Sequence, residues 1–137
     1  MGIDFSVQGS DLETPSWSYS NFNLFRQRVA QAVGIDLDEM KGFGNGPTYD
    51  GVSWDTVSDD VVPLLNHSDC DGELSPSECS LIAPRLREIL NSGTSGFIIP
   101  VDPNKYSYGD DVDYYRGMNL VACMEDAVRL NNPLVFC

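Results

Sequence analysis

Apolar residues recur along this chain in two rhythms, and the switch between them outlines the elements. Ile3-Asp4-Phe5-Ser6-Val7 alternates apolar and polar, the two-residue period of a short half-buried strand. From Ser20 the spacing changes to Phe22, Phe25, Val29, Ala32 and Val33, one face of a helix that Gly34 stops. A brief helical turn is predicted over residues 36–41, followed by a connection marked by Gly42, Gly44, Gly46 and Pro47. Residues 54–65 carry Val57, Val61, Val62, Leu64 and Leu65 and read as a short amphipathic helix that Pro63 ends or kinks.

Beyond residue 65 the same reasoning gives two longer helices. Ser75-Pro76-Ser77-Glu78 opens one that runs to about Leu90, with Leu81, Ile82, Leu86, Ile89 and Leu90 as its buried face and Pro84 bending it. Residues 91–96 read as a turn. Phe97-Ile98-Ile99-Pro100-Val101 is short, branched and bounded by breakers, which predicts a buried strand pairing with either terminus. The last helix begins near residues 110–113 and reaches Asn131, presenting Tyr114, Gly117, Val121, Met124 and Val128 at helical spacing. Asn131-Asn132-Pro133 stops it, and Leu134-Val135-Phe136-Cys137 is apolar enough to predict a C-terminus tucked into the core as a strand. The expected fold is mainly α within the α+β class, as a single domain over residues 1–137. It has three to five helices around one core, an EF-hand-like helix-loop-helix, and two or three short strands from the termini and residues 97–101.

Charge narrows the partners. The chain holds 21 Asp and Glu against eight Lys and Arg, for a net charge of −13, which argues against direct binding to nucleic acid or to an anionic membrane. Cationic partners or a divalent metal fit better. Hydrophobic residues make up 42% of the 137, the composition of a packed globule rather than a disordered acidic tail. No basic segment followed by an apolar run opens the chain, and no apolar stretch approaches membrane-spanning length, so a cytoplasmic setting is expected. There Cys70, Cys79, Cys123 and Cys137 are expected as thiols. Met1-Gly2 with Ser6 matches a myristoylation signal and Asn66-His67-Ser68 a glycosylation sequon, both read as chance patterns.

The sharpest chemical signal lies over residues 66–78. Calcium takes oxygen ligands from alternate positions of a twelve-residue EF-hand loop with Gly at the sixth. With Gly72 as that glycine, Asp69 and Asp71 fall on the third and fifth positions and Glu73 offers its carbonyl at the seventh. Leu74 is then the apolar eighth, and Glu78 the twelfth-position clamp. This segment, about a tenth of the chain, resembles the EF-hand calcium loop. The departure is His67 at the first position, a poor calcium ligand. A loop one residue longer, starting at Asn66 behind the apolar Leu65, restores an oxygen there. The resemblance thus implies Ca2+ as cofactor with Asn66, Asp69, Asp71, Glu73 and Glu78 as ligands.

A second reading of the same residues stands beside it. Ser75 and Glu78 form a capping box with Pro76 at the first helical position, and Asp69 and Asp71 suit a tight turn, so the segment also reads as a turn and cap with no ion. No second acidic loop with a central Gly accompanies it. His67-x-x-Cys70 with Cys79 only faintly resembles zinc-ligand spacing. Enzyme readings find little support: the single His lies among carboxylates, and no phosphate loop, dinucleotide fingerprint, nucleophile elbow or metalloprotease helix is present.

Over most of its length the chain also resembles small proteins of uncharacterised function from actinobacteria and their phages. The resemblance rests on Trp17-Ser18-Tyr19 with Phe22 and Phe25-Arg26, the run from Leu64 to Leu74, Ala83-Pro84-Arg85-Leu86-Arg87 and the Pro-Leu-Val-Phe-Cys end. It implies a bacterial or viral cytosolic setting and no particular task. The expected function is a non-enzymatic binding or regulatory module with an acidic loop that holds calcium or merely fixes two helices. The alternative is a phage-type inhibitor. It would imitate nucleic acid with Asp102, Asp110, Asp111 and Asp113, or trap a signalling nucleotide with Arg26, Arg28, Arg85, Arg87 or Arg116 converging in a pocket. A small hydrolase using His67 ranks last. Tyr106, Tyr108, Tyr114, Tyr115, Trp17 and Tyr19 are expected mostly in the core, with stacking on a partner as the other role.

Overall fold

The computed structural model describes residues 2–43, 51–69, 71–93 and 96–137. Gly44, Gly46 and Pro47 of the glycine-rich connection, and Cys70 of the zinc-like spacing, lie outside the described residues. The alternation at the N-terminus forms strand β1 (Gly2–Val7), with Ile3, Phe5 and Val7 buried. Strand β2 (Ser16–Ser18) returns antiparallel beside it, setting Trp17 opposite Ile3. Helix α1 (Tyr19–Ala32) follows at once, the Ser18 hydroxyl accepting from the Asn21 N–H as its cap.

After 3-10 turns at Leu37–Glu39 and Trp54–Thr56 come the single-turn helix α2 (Val62–Leu65) and the two-residue strand β3 (Glu73–Leu74). Helices α3 (Pro76–Leu90) and α4 (Val112–Leu130) and strand β4 (Leu134–Phe136) complete the chain. The fold is α+β: four α-helices among the described residues and a four-stranded antiparallel sheet in the order β2-β1-β4-β3. Among the described residues no helix is long and apolar enough to cross a membrane.

The chain's last residues occupy the middle of the sheet. Phe136 pairs with Phe5 and Leu134 with Val7 on one side, while Leu134 faces Leu74 on the other. Every one of these five side chains is buried, so the period-two pattern of three separate segments meets in one layer. Edge-to-face contacts tie the layer together, with Phe5 and Phe136 ring centroids 4.9 Å apart; Trp17 and Phe25 extend the cluster at 4.8 Å. The buried Trp17 keeps its N–H satisfied by donating to Asp113 Oδ1 at 3.1 Å.

Helix α3 packs chiefly on α4, and Gly117 allows their approach. A Cβ at that position would lie 2.9 Å from Leu90 Cδ1 and 3.1 Å from Phe25 Cε1, closer than ordinary packing permits. The buried stripe of α3 is Cys79, Ile82, Ala83, Leu86, Ile89 and Leu90, so Leu81 faces solvent; on α4, Val128 does too. Both lie one helical step off the buried stripe, where an apolar residue costs little.

Besides Leu81, expected on the buried face of α3, two expectations need correction. The helix over residues 54–65 is interrupted: a 3-10 turn and α2 flank an irregular stretch, and Pro63 sits in the first turn of α2 where its missing N–H is harmless. The candidate strand over residues 97–101 is not a strand. Its polar backbone is held by side chains instead: the Ile98 N–H donates to Asp111 Oδ2 at 3.0 Å and Arg28 Nη2 donates to the Gly96 carbonyl at 2.9 Å. Phe97 and Pro100 alone of this run are buried.

Because β4 joins both halves of the sheet, Phe136→Ala is expected to lower unfolding free energy by about 3–5 kcal/mol. Urea denaturation read by far-ultraviolet circular dichroism checks this, against Val128→Ala as an exposed control.

Candidate functional site

The acidic segment over residues 66–78 is built as a connector between α2 and α3. Gly72 adopts φ +93°, the left-handed conformation that a side chain disfavours, and turns the chain into β3. Its carbonyl accepts from the Phe136 N–H at 2.8 Å. Ser75 and Glu78 form the capping box in full: Glu78 N–H donates to Ser75 Oγ at 3.1 Å, and Ser75 N–H donates to Glu78 Oε1 at 3.0 Å. Asn66, Asp71 and Glu73 are exposed, whereas Asp69 and Glu78 are half-buried. Among the described residues no three His, Cys, Asp or Glu side chains stand close enough together to hold an ion.

His67 is the hinge of this segment. Its Nε2 lies 3.0 Å from the Glu73 carbonyl and its Nδ1 lies 2.8 Å from the Ser68 carbonyl, while the ring stacks on Phe136 at 3.8 Å. Both nitrogens thus face backbone oxygens rather than a hydroxyl or thiol, an arrangement for holding a loop rather than activating a nucleophile. The Glu73 carbonyl, expected at the seventh ligand position, is the oxygen that Nε2 meets.

Other reactive groups serve structure as well. Burial pushes the Cys79 and Cys123 thiols up to about 11, with Glu78 and Asp126 respectively adding to the shift, so neither is a ready nucleophile. The arginines do not converge. Arg28 pairs with Asp111 at 2.6 Å and Asp113 at 3.2 Å, Arg85 with Asp59 at 3.1 Å and with Glu88, and Arg87 with Glu125 at 2.8 Å. The open groove of about 700 Å³ beside α1 contains Arg28, whose charge is matched by these carboxylates.

Arg26 is different. It is 2% exposed, and its Nη1 donates to the carbonyls of Leu64, Leu65 and His67 at the end of α2, the last at 2.5 Å. Burial lowers its pKa to about 10, partly offset by the charge of Asp69. For function, the sequence names Arg26 only as one of five arginines that a nucleotide trap would bring together; its burial alone, beside Phe25 on α1, has no signal in the pattern.

The segment over residues 97–109 forms an arm between α3 and α4, although its first five residues, 97–101, have the pattern of a buried strand. Phe97 anchors it, packed 5.7 Å from Phe25 and lying under the Arg28 guanidinium at 4.1 Å. Tyr115 pins its far part, the hydroxyl donating to the Lys105 carbonyl at 2.8 Å or to Asp110 Oδ2 at 3.2 Å. Burial, then the adjoining Asp110 carboxylate, raises the Tyr115 pKa to about 12, so the neutral donor persists at any physiological pH. Between these anchors Ile98 (66%), Tyr106 (53%), Val101 and Tyr108 are exposed. Comparison of the chain with protein-family models, with curated proteins and with solved structures gives no match.

The acids around this arm make a prediction about pH. Burial opposes ionisation of Asp111, but hydrogen bonds from Arg28 and from the Ile98 and Asp113 N–H groups outweigh it and hold the carboxyl below its ordinary 3.8. Asp59 is lowered likewise, with Arg85 and the Val61 N–H prevailing over burial. A depressed folded-state value means the contribution is fully present above the ordinary value and is lost as pH falls through the lowered one. Urea midpoints are therefore expected to drop below about pH 4, and Asp111→Asn is expected to shrink that acid-induced loss.

Proposed function

We propose that this protein is a non-enzymatic binding module that engages a partner protein through the exposed apolar side chains of the 97–109 arm. The observation carrying this reading is the pairing of a fixed base with an exposed tip: Phe97 and Tyr115 hold the arm while Ile98, Val101, Tyr106 and Tyr108 face solvent. Aromatic and branched residues on a preorganised segment lose little freedom on binding, which is what a contact surface needs. The field of a chain at −13 selects a partner whose apolar patch is rimmed by Lys and Arg.

The imitation of nucleic acid is less favoured. Asp111 and Asp113 are tied to Arg28, Asp110 accepts from the Ser107 N–H at 2.8 Å and Asp102 from the Asn104 N–H at 3.0 Å, so all four carboxylates proposed for that role already serve internal bonds. The proposal is tested by a photo-crosslinking residue placed at Tyr108 and, as control, at Glu125 on α4. A partner is expected at the first position only. Once purified, that partner must lose about tenfold in affinity for Val101→Ser with Tyr108→Ser, and more at high salt. Equal crosslinking at both positions sinks the proposal.

A second reading, in which the same module binds calcium, is supported by Gly72 at φ +93° in the register where an EF-hand loop turns sharply. Asn66, Asp69, Asp71, the Glu73 carbonyl and Glu78 would supply the oxygens. Glu78 would exchange the Ser75 N–H for the ion, and the Glu73 carbonyl would exchange His67. If that reading holds, millimolar calcium raises Tm and a chelator lowers it, with Asp71→Asn removing the response; an unchanged Tm leaves the segment as a turn and helix cap.

A further inference from the structure

Arg26 is the one charged side chain among the described residues that is fully buried, and none of the ion pairs among those residues includes it. A buried cation without a counter-ion is costly, and proteins ordinarily pair it. The carbonyls of Leu64, Leu65 and His67 occupy Nη1 alone. Nε is buried with no hydrogen-bond acceptor. The rings of Phe22 and Phe43 lie against the guanidinium carbon at 4.7 and 5.3 Å, fixing the plane of the group. A guanidinium presents paired N–H groups that match two oxygens of a phosphate or carboxylate.

A cavity of about 340 Å³ opens at this residue, with Asn23, Lys41, Ser68 and Asp69 also in its wall. Its volume is about ten times the ~30 Å³ share of a water molecule, room for a phosphate group and the first atoms of its carrier. Lys41, exposed at the rim, adds a second cation, and the Asn23 amide adds a neutral donor. We propose that this cavity is a binding site for a phosphate group, held by Arg26 with Lys41 as the outer cation. Asp69 supplies the opposing charge in the same wall. The site lies at α1 and α2, and the proposal does not rest on the 97–109 arm.

Calorimetric titration with inorganic phosphate, with glycerol phosphate and with acetate, at one ionic strength, tests it. Saturable binding of at least one phosphate probe is expected, stronger than acetate. Lys41→Ala is expected to weaken it by about threefold and Asp69→Asn to tighten it by about threefold, the range of one charge at a partly exposed site. Both variants alter the rim, so neither depends on the fold tolerating loss of Arg26. Preference for glycerol phosphate assigns the site to phosphomonoesters; equal binding assigns it to the free ion. No saturable phosphate binding, binding no stronger than acetate, or a constant left unchanged by either substitution overturns the proposal.

Discussion

The antiparallel pairing of β4 with both β1 and β3 is the constraint on which this molecule depends. Three residues at the C-terminal end, Leu134–Phe136, link the N-terminal strand to the acidic connector. Phe136 does this three times over. Its ring packs on Phe5, its other neighbour is the His67 imidazole, and its N–H donates to the Gly72 carbonyl. Remove that strand and β3 has no partner, the left-handed turn at Gly72 has no backbone tether, and the start of α3 loses its support. Contacts this distant in sequence form only when the whole chain has collapsed, so the connector is ordered by the last residues of the chain as much as by its own turn chemistry.

The distribution of charge follows from that arrangement. A chain with so many carboxylates resists compaction unless some of them meet cations or backbone N–H groups. Arg28 and Arg85 each draw carboxylates from another part of the sequence, and Asp111 serves at once as helix cap, ion-pair partner and acceptor for Ile98. Fastening the arm by polar bonds, rather than by sheet pairing, leaves its apolar side chains outside. That is the physical origin of the exposed surface. Arg26 stands apart because its neighbours are carbonyls and aromatic rings, which partly solvate a cation but do not neutralise it.

Much of the fold is legible in the residues themselves. Ser75, Pro76 and Glu78 announce the start of α3, and the capping box forms as their spacing requires. Phe22, Phe25 and Val29 mark the buried face of α1, and Asn131-Asn132-Pro133 ends α4, with Asn131 in the left-handed conformation at φ 54°. These features are local: each depends on groups within four or five positions, and propensity and periodicity describe such groups well. The run at residues 97–101 has the composition of a buried strand, and whether it becomes one depends on a free sheet edge and on where Asp111 and Arg28 point. Strand β2 is too short to announce itself; it exists because Ile3 and Asp4 have an open edge beside Trp17 and Ser16. For the candidate site, the connector was visible as a loop of acids around Gly72, but the engagement of Glu73's carbonyl by His67 was not.

What the sequence determined by itself was the three long helices, the strand character of both termini, the capping of α3 and the strongly acidic composition, because short-range backbone and burial preferences suffice for each. Only the tertiary structure decided that β4 lies between β1 and β3, that the 97–109 segment stands outside as an arm, and that Arg26 is buried at a cavity with none of the ion pairs among the described residues including it. Those outcomes turn on which distant groups meet, and a polar group's partner across the fold leaves no period or motif in the chain that carries it.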